Sequence, residues 1–284
     1  MSDRTSATRT VLGALAEVTA RSDLLSRATF PFLRQFHRRR ARVESQRIGR
    51  LLARVAPELV VRSGPFVGLE YPRAKAAGSV FAAKILGSYE SELRPVWREV
   101  AADPPDVFVD IGCAEGYDAV GLALTIPALQ VRAFDTCPLA RELCAEMAVA
   151  NNVTTRVSIA EHCSSADLLA LPVAEKMLVM CDCEGSERWI FTEGVVAHLA
   201  GHMLIIETHD FVHAGTTDLL AERFRATHAV ERIAATVDAE KPKTVDLPEL
   251  EGLSHREQVS LLAERRPDGM GWLVCRPHPG AGPR

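Results

Sequence analysis

Two acids bracket a glycine-bearing turn in the run Val107-Phe-Val-Asp110-Ile-Gly112-Cys-Ala114-Glu115-Gly116. Gly112 and Gly116 let the backbone turn and approach a ligand with no Cβ in the way. The spacing is not the Gly-x-Gly-x-x-Gly of a dinucleotide site, and carboxylates at Asp110 and Glu115 would repel a pyrophosphate. They suit a cationic nucleoside such as S-adenosylmethionine (SAM), which carries an ammonium and a sulfonium group. Asp135 ends a second apolar run, and its distance from Gly112 matches the roughly 20 residues expected for a carboxylate that accepts ribose hydroxyls. The loop 110–116, with Ala114 inside it, and Asp135 form one expected cofactor site. Ser164 or Ser165, past the next apolar run, is a candidate to face the adenine, with Ser164 taken for the site.

A second concentration of polar groups lies in Cys181-Asp182-Cys183-Glu184-Gly185-Ser186-Glu187 and in Glu207-Thr208-His209-Asp210. Asp182, Glu207, His209 and Asp210 offer the oxygen and imidazole ligands that suit Mg²⁺ or another hard divalent ion, which would lower the pKa of an acceptor hydroxyl. Without a metal, His209 becomes the general base and Asp182 its catalytic neighbour, since imidazole titrates near neutrality. Glu184 and Glu187 are read as acids at a helix N-terminus, where the dipole favours them. Cys181-x-Cys183 is too tight for a zinc pair and reads as small apolar groups at a strand end.

The elements that must position these groups alternate in type. Short apolar runs at 107–110, 130–135, 157–161, 177–181 and 202–207 predict five strands, and helical patterns at 117–124, 139–151 and 188–199 lie between them. Such alternation predicts a doubly wound, mostly parallel α/β sheet, with 230–237 and 271–276 adding two late strands as an antiparallel edge pair. A polar, Pro-containing insertion at 238–251 separates that pair. Helices are expected over 89–100 and through the first 60 residues, so the chain divides into an Arg-rich helical segment with linker (1–84) and a catalytic domain (85–284).

The first 50 residues hold 11 Arg against four acids, while the 284-residue chain has a net charge of −4, which argues against a whole-domain nucleic-acid binder. The N-terminal helices are a candidate surface for homo-oligomer formation. Seven cysteines with no secretory leader point to reduced thiols in the cytoplasm, and no apolar run reaches the roughly 20 residues of a membrane span.

At these residues the chain resembles the FkbM-type methyltransferases, a branch of the class I SAM-dependent enzymes. The likeness rests on Val109-Asp-Ile-Gly-Cys-Ala-Glu-Gly116, on Asp182-Cys-Glu-Gly-Ser-Glu187 where the family has Asp-Val-Glu-Gly-Ala-Glu, and on Ile206-Glu-Thr-His209 where it has Val-Glu-x-His. It covers roughly residues 85–276. Leu86-Gly-Ser-Tyr-Glu90 looks like a segment that precedes the domain in related proteins, which implies that Glu90 reaches the cofactor site. The resemblance implies O-methylation of a hydroxyl on a small molecule, a sugar or a natural-product intermediate. The chain departs from the pattern at Cys181 and Cys183, and its first 60 residues carry no family signal. Asp-Cys-Glu-Gly also stands where enzymes methylating planar bases often carry Asn/Asp-Pro-Pro-Tyr/Phe, which speaks against a base. An amine or carbon acceptor, a non-methylating use of SAM, and a degenerate binding protein with this fold are the alternatives. The intact acids Asp110, Asp135, Asp182 and Glu207 argue against degeneracy.

Overall fold

The computed structural model describes Arg39 and residues 42–77, 80–173 and 175–280. The chain forms two compact units, Met1–Leu51 and Leu52–Arg284. In the first, residues 42–51 are helical. The rest of the Arg-rich segment, and with it most of the expected oligomer-forming surface, lies outside the described residues.

In the second unit seven strands form one sheet: β1 (Val107–Ile111), β2 (Gln130–Phe134), β3 (Val157–Ala160), β4 (Met177–Cys181), β5 (Met203–Thr208), β6 (His228–Ala234) and β7 (Gly271–Pro277). Their order is β3-β2-β1-β4-β5-β7-β6. The first five run parallel, and β7 lies antiparallel between β5 and β6. This is the expected doubly wound, mostly parallel sheet. Every residue of β1 and β4 is buried, as continuous apolar strands covered on both faces must be.

Helices flank the sheet: α1 (Phe81–Leu86), α2 (Arg94–Ala102), α3 (Tyr117–Thr125), α4 (Pro138–Ala150), α5 (Ser165–Leu169), α6 (Glu187–Ile190), α7 (Glu193–His198), α8 (Thr216–Phe224), α9 (Lys241–Thr244) and α10 (His255–Leu262). The core between strands and helices includes Val109, Val179, Phe191, Leu204 and Phe224, all fully buried.

Two expected helices need correction, and the compact units divide the chain elsewhere than at the expected domain boundary. The helix read across 188–199 is two, α6 and α7, because Phe191 leaves helical geometry as it enters the core and Thr192 starts a new helix by accepting the N–H of Val195. The helix read over 89–100 starts only at Arg94, after a 3₁₀ turn, because Glu90 takes a left-handed conformation with φ 49°. The boundary set at 84/85 falls inside the second unit: Val60 bridges Glu70, and buried Lys84 is tied to Glu115.

The site follows from register. Between β2 and β4, on either side of β1, the strand order reverses, and ligands of open α/β sheets bind beyond the carboxyl ends there. Ile111 lies opposite Cys181, and Cys181 opposite Ile206. The next residues, Gly112, Asp182 and Glu207, therefore emerge side by side.

Candidate active site

A cavity of about 510 Å³ opens at these strand ends. Gly112 takes φ +93°, and a Cβ there would stand 1.7 Å from the carbonyl oxygen of Asp182, so only glycine allows β1 and β4 to close this tightly. Asp182 N–H in turn donates to Ile111 at 2.8 Å. Ala114 is left-handed as well, and its N–H donates to Asp135 Oδ2 at 2.9 Å while Cys137 N–H donates to Oδ1 at 2.7 Å. The loop and the end of β2 are thus one hydrogen-bonded unit. Glu90, Asp110, Gly112, Ala114 and Asp135 all border the cavity.

The cavity is acidic. Glu90, Asp110, Asp118, Asp135, Asp182 and Glu207 line it together with Glu184 and Glu264, against Lys84, Arg265 and Arg266. Glu90 Oε2, Asp110 Oδ2 and Asp182 Oδ1 are buried without a hydrogen-bond partner. Burial, reinforced by the neighbouring Asp182, pushes the Asp110 carboxyl up to about 8. Asp182 is pushed up to about 7 by burial and by Glu90, with His209 pulling the other way. Asp118, near the start of α3, is raised by burial and then by Glu90 and Asp110. Carboxylates held like this favour a bound cation, because a proton or another positive charge relieves each of them.

His209 sits at the end of β5, buried. Its Nδ1 lies 2.7 Å from Glu187 Oε1, and its Nε2 is 3.4 Å from Asp182 Oδ1 and 3.6 Å from Glu184 Oε2. Burial lowers its basicity, but Glu187, Asp182 and Glu184 outweigh that and raise it above the ordinary imidazole value. Glu187 does stand in the first turn of α6, yet its role is not that of a helix-end acid. It is buried, binds His209 and the N–H of Gly185, and so fixes the imidazole. Nothing in its local sequence signalled that partner.

A buried ion network closes the other side. Arg266 reaches Glu90 through Nη2 at 2.6 Å, Glu264 through Nε at 2.8 Å and Glu207 through Nη1. Its guanidinium lies 4.6 Å from the ring centroid of Trp272. Glu264 is paired again with Lys241, which also meets Glu92 at 3.2 Å. The insertion at 238–251 and the loop before β7 therefore supply the cations that hold the site's acids. Five donors on a rigid plane make arginine able to bridge three carboxylates at once. Lys84 is another missed residue: it borders the cavity and packs over the rings of Tyr89 and Tyr117 at 4.7 and 5.3 Å.

Four expected site residues face elsewhere. Glu115 is fully buried but accepts from Lys84 Nζ at 2.7 Å, Ala77 N–H at 2.9 Å and Tyr71 Oη at 3.1 Å, so its charge is spent inside the protein. Gly116 caps α3 against Cys144 and does not border the cavity. Ser164 is the N-cap of α5, in a reciprocal box with Asp167. Asp210 accepts from the N–H and hydroxyl of Thr217 and does not join the others. The expected metal set is thereby reduced to Asp182, Glu207 and His209, whose ligand atoms lie within 4.8 Å of one another. Cys181 is buried in β4 with its sulfur 3.4 Å from that of half-buried Cys183.

No helix among the described residues is long and apolar enough to cross a membrane. No family model matches the chain, and no curated protein matches it in sequence, so the FkbM-type resemblance stands on its motif residues alone. Solved structures similar to it include StiE O-MT residues 961–1257, 16% identical, covering 67% of this chain and 73% of that one at TM-score 0.43. Precorrin-6y C5,15-methyltransferase from Geobacter metallireducens is 13% identical, with coverage of 61% and 80% and TM-score 0.41. An O-methyltransferase family protein from Burkholderia thailandensis is 16% identical, with coverage of 68% and 58% and TM-score 0.39.

Proposed function

We propose that this chain is a SAM-dependent methyltransferase of the FkbM type that methylates a hydroxyl group on a small molecule, with His209 as general base. The observation that carries the reading is a buried imidazole, locked by Glu187 through Nδ1, whose Nε2 faces Asp182 and Glu184 in an acid-lined cavity at the carboxyl ends of β1, β4 and β5.

The donor set fits the cofactor. Three buried carboxylate oxygens without a hydrogen-bond partner suit an ammonium or sulfonium, and the bare backbone at Gly112 and Ala114 admits a close ligand. In this reading Asp135 accepts from the ribose hydroxyls, and Asp110, Asp118 and Glu90 hold the ammonium end. When bound, SAM supplies an electrophilic methyl group. His209 Nε2 takes the proton of the acceptor hydroxyl, Glu187 holds Nδ1 and stabilises the resulting imidazolium, and Asp182 orients the acceptor.

A metal-assisted variant, with Mg²⁺ held by Asp182, Glu207 and His209, has the compactness of that cluster in its favour. Arg266 already neutralises Glu207, however, so the metal-free form is the better reading. Calorimetry with SAM, with EDTA and then with added Mg²⁺, tests both: SAM binds with EDTA present, and Mg²⁺ adds no heat. Failure to bind SAM under all conditions would remove the enzyme reading, and a Mg²⁺ requirement would replace the metal-free form.

A further inference from the structure

The turn after β5 exposes Phe211 (53%) and Val212 (43%), and α6 exposes Trp189 (53%). Single exposed apolar residues are commonplace, but these adjoin one another beside the cavity. Val212 covers Gly185 so closely that a Cβ there would lie 2.8 Å from its Cγ1 and 3.5 Å from the ring of His213. His213 in turn packs edge-on against Trp189, with centroids 4.6 Å apart. At the near end Phe211 borders the cavity, its ring 5.7 Å from that of His209. Phe211, Val212, His213 and Trp189 thus form a strip of side chains leading outward from the imidazole proposed to take the proton.

Charge restricts what can lie on it. Asp182 and exposed Glu184 face the same opening, 3.4 and 3.6 Å from His209 Nε2. A phosphorylated or carboxylated acceptor would meet these acids, while Arg188 beside the strip is already stacked on Trp189 and the cavity's Arg266 is already held by three carboxylates. A flat, uncharged ring can lie edge-on or offset against Phe211 and Trp189 while its hydroxyl reaches His209.

We infer that Phe211, Val212 and Trp189 form the docking surface for the acceptor, and that the acceptor is an uncharged hydroxylated molecule with a flat apolar body, of the phenol or naphthol kind. This rests on the methyl-transfer reading and names the substrate class it leaves open. It sets aside nucleotide-linked and phosphorylated sugars.

The test is isothermal titration of naphthol, naphthyl phosphate and methyl glucoside into the protein saturated with S-adenosylhomocysteine. Naphthol is expected to bind and the other two not. Phe211→Ser should weaken naphthol by about tenfold or more, as expected when a large apolar contact is lost, while the affinity for S-adenosylhomocysteine stays within about twofold. Val212→Ser gives a second, smaller loss of the same kind. Equal naphthol binding by wild type and Phe211→Ser, no naphthol binding, or a preference for the phosphate or the sugar would overturn the inference. Absence of S-adenosylhomocysteine binding would instead overturn the methyl-transfer reading, and naphthol titrated into the free protein would still decide whether the strip binds flat apolar alcohols.

Discussion

Oε1 of Glu187 accepts both from His209, at 2.7 Å from its Nδ1, and from the N–H of Gly185 at 3.0 Å. The carboxylate is thus held by the backbone while it holds the imidazole, which leaves Nε2 facing the cavity. His209→Ala should lower kcat by about 10²–10⁴-fold, the usual worth of a general base, and leave SAM affinity nearly unchanged. Steady-state kinetics beside calorimetry measure both; an alanine variant with full turnover would remove His209 from the chemistry.

The same pair sets a pH dependence. Burial lowers the basicity of His209, and Glu187, Asp182 and Glu184 more than restore it, so the group titrates above the ordinary imidazole value. A general base must be neutral, so kcat should rise with pH through that raised value and level off above it. Glu187→Gln removes the strongest raising partner and should shift this limb to lower pH as well as lowering the plateau. A pH–rate profile of both proteins checks it, and an unmoved limb would mean that Glu187 is only structural.

Asp135 anchors the loop through Ala114 and Cys137, and borders the cavity. Asp135→Ala should weaken SAM binding by about 1–3 kcal/mol, as for a lost charged hydrogen bond. Turnover at saturating SAM should fall far less, which a split between KM and kcat would register.

Asp110 is held with its titration raised to about 8 by burial and by Asp182. An acid raised in the fold costs nothing below its unfolded value and most above its folded one, so the penalty grows as pH climbs from about 4 to about 8. Asp110→Asn should therefore stabilise the ligand-free protein at the alkaline end, on the order of 1–3 kcal/mol, and by progressively less toward acid. It should also bind SAM more weakly. Thermal melts across pH, with and without SAM, test the trade.

Gly112→Ala would place a methyl 1.7 Å from the Asp182 carbonyl in a φ +93° conformation. Strands β1 and β4 would have to part, so the variant should lose roughly 3 kcal/mol or more of stability. Chemical denaturation measures it; a wild-type midpoint would show that the strand ends are looser than the register implies.

The central strands were legible because buried parallel strands are largely apolar runs, and Val107–Val109, ending in Asp110, and Met177–Cys181, ending in Asp182, are such runs. The two acids of the first loop show where legibility stops. Asp110 and Glu115 looked alike in sequence, yet one faces the cavity and the other is taken by Lys84, 31 residues upstream. Local pattern encodes which face a residue takes but not which distant charge will meet it. Arg266 is the extreme case, since it pairs with Glu207 and Glu90 from 59 and 176 residues away. Phe191 broke a helix whose periodicity looked unbroken, because tertiary burial overrode propensity.

The placement of β7 between β5 and β6 bears on the order of events at the ribosome. When β5 and β6 have emerged, the slot between them is still without its strand, and Arg266, only five residues before β7, has not yet reached Glu90 and Glu207. A nascent chain can assemble β1 to β5 early, but the cavity's Glu90 and Glu207 remain without their arginine until the closing strand threads in. Cofactor capture should accordingly await the emergence of β7, and chains stalled before residue 271 should be substrates for proteolysis.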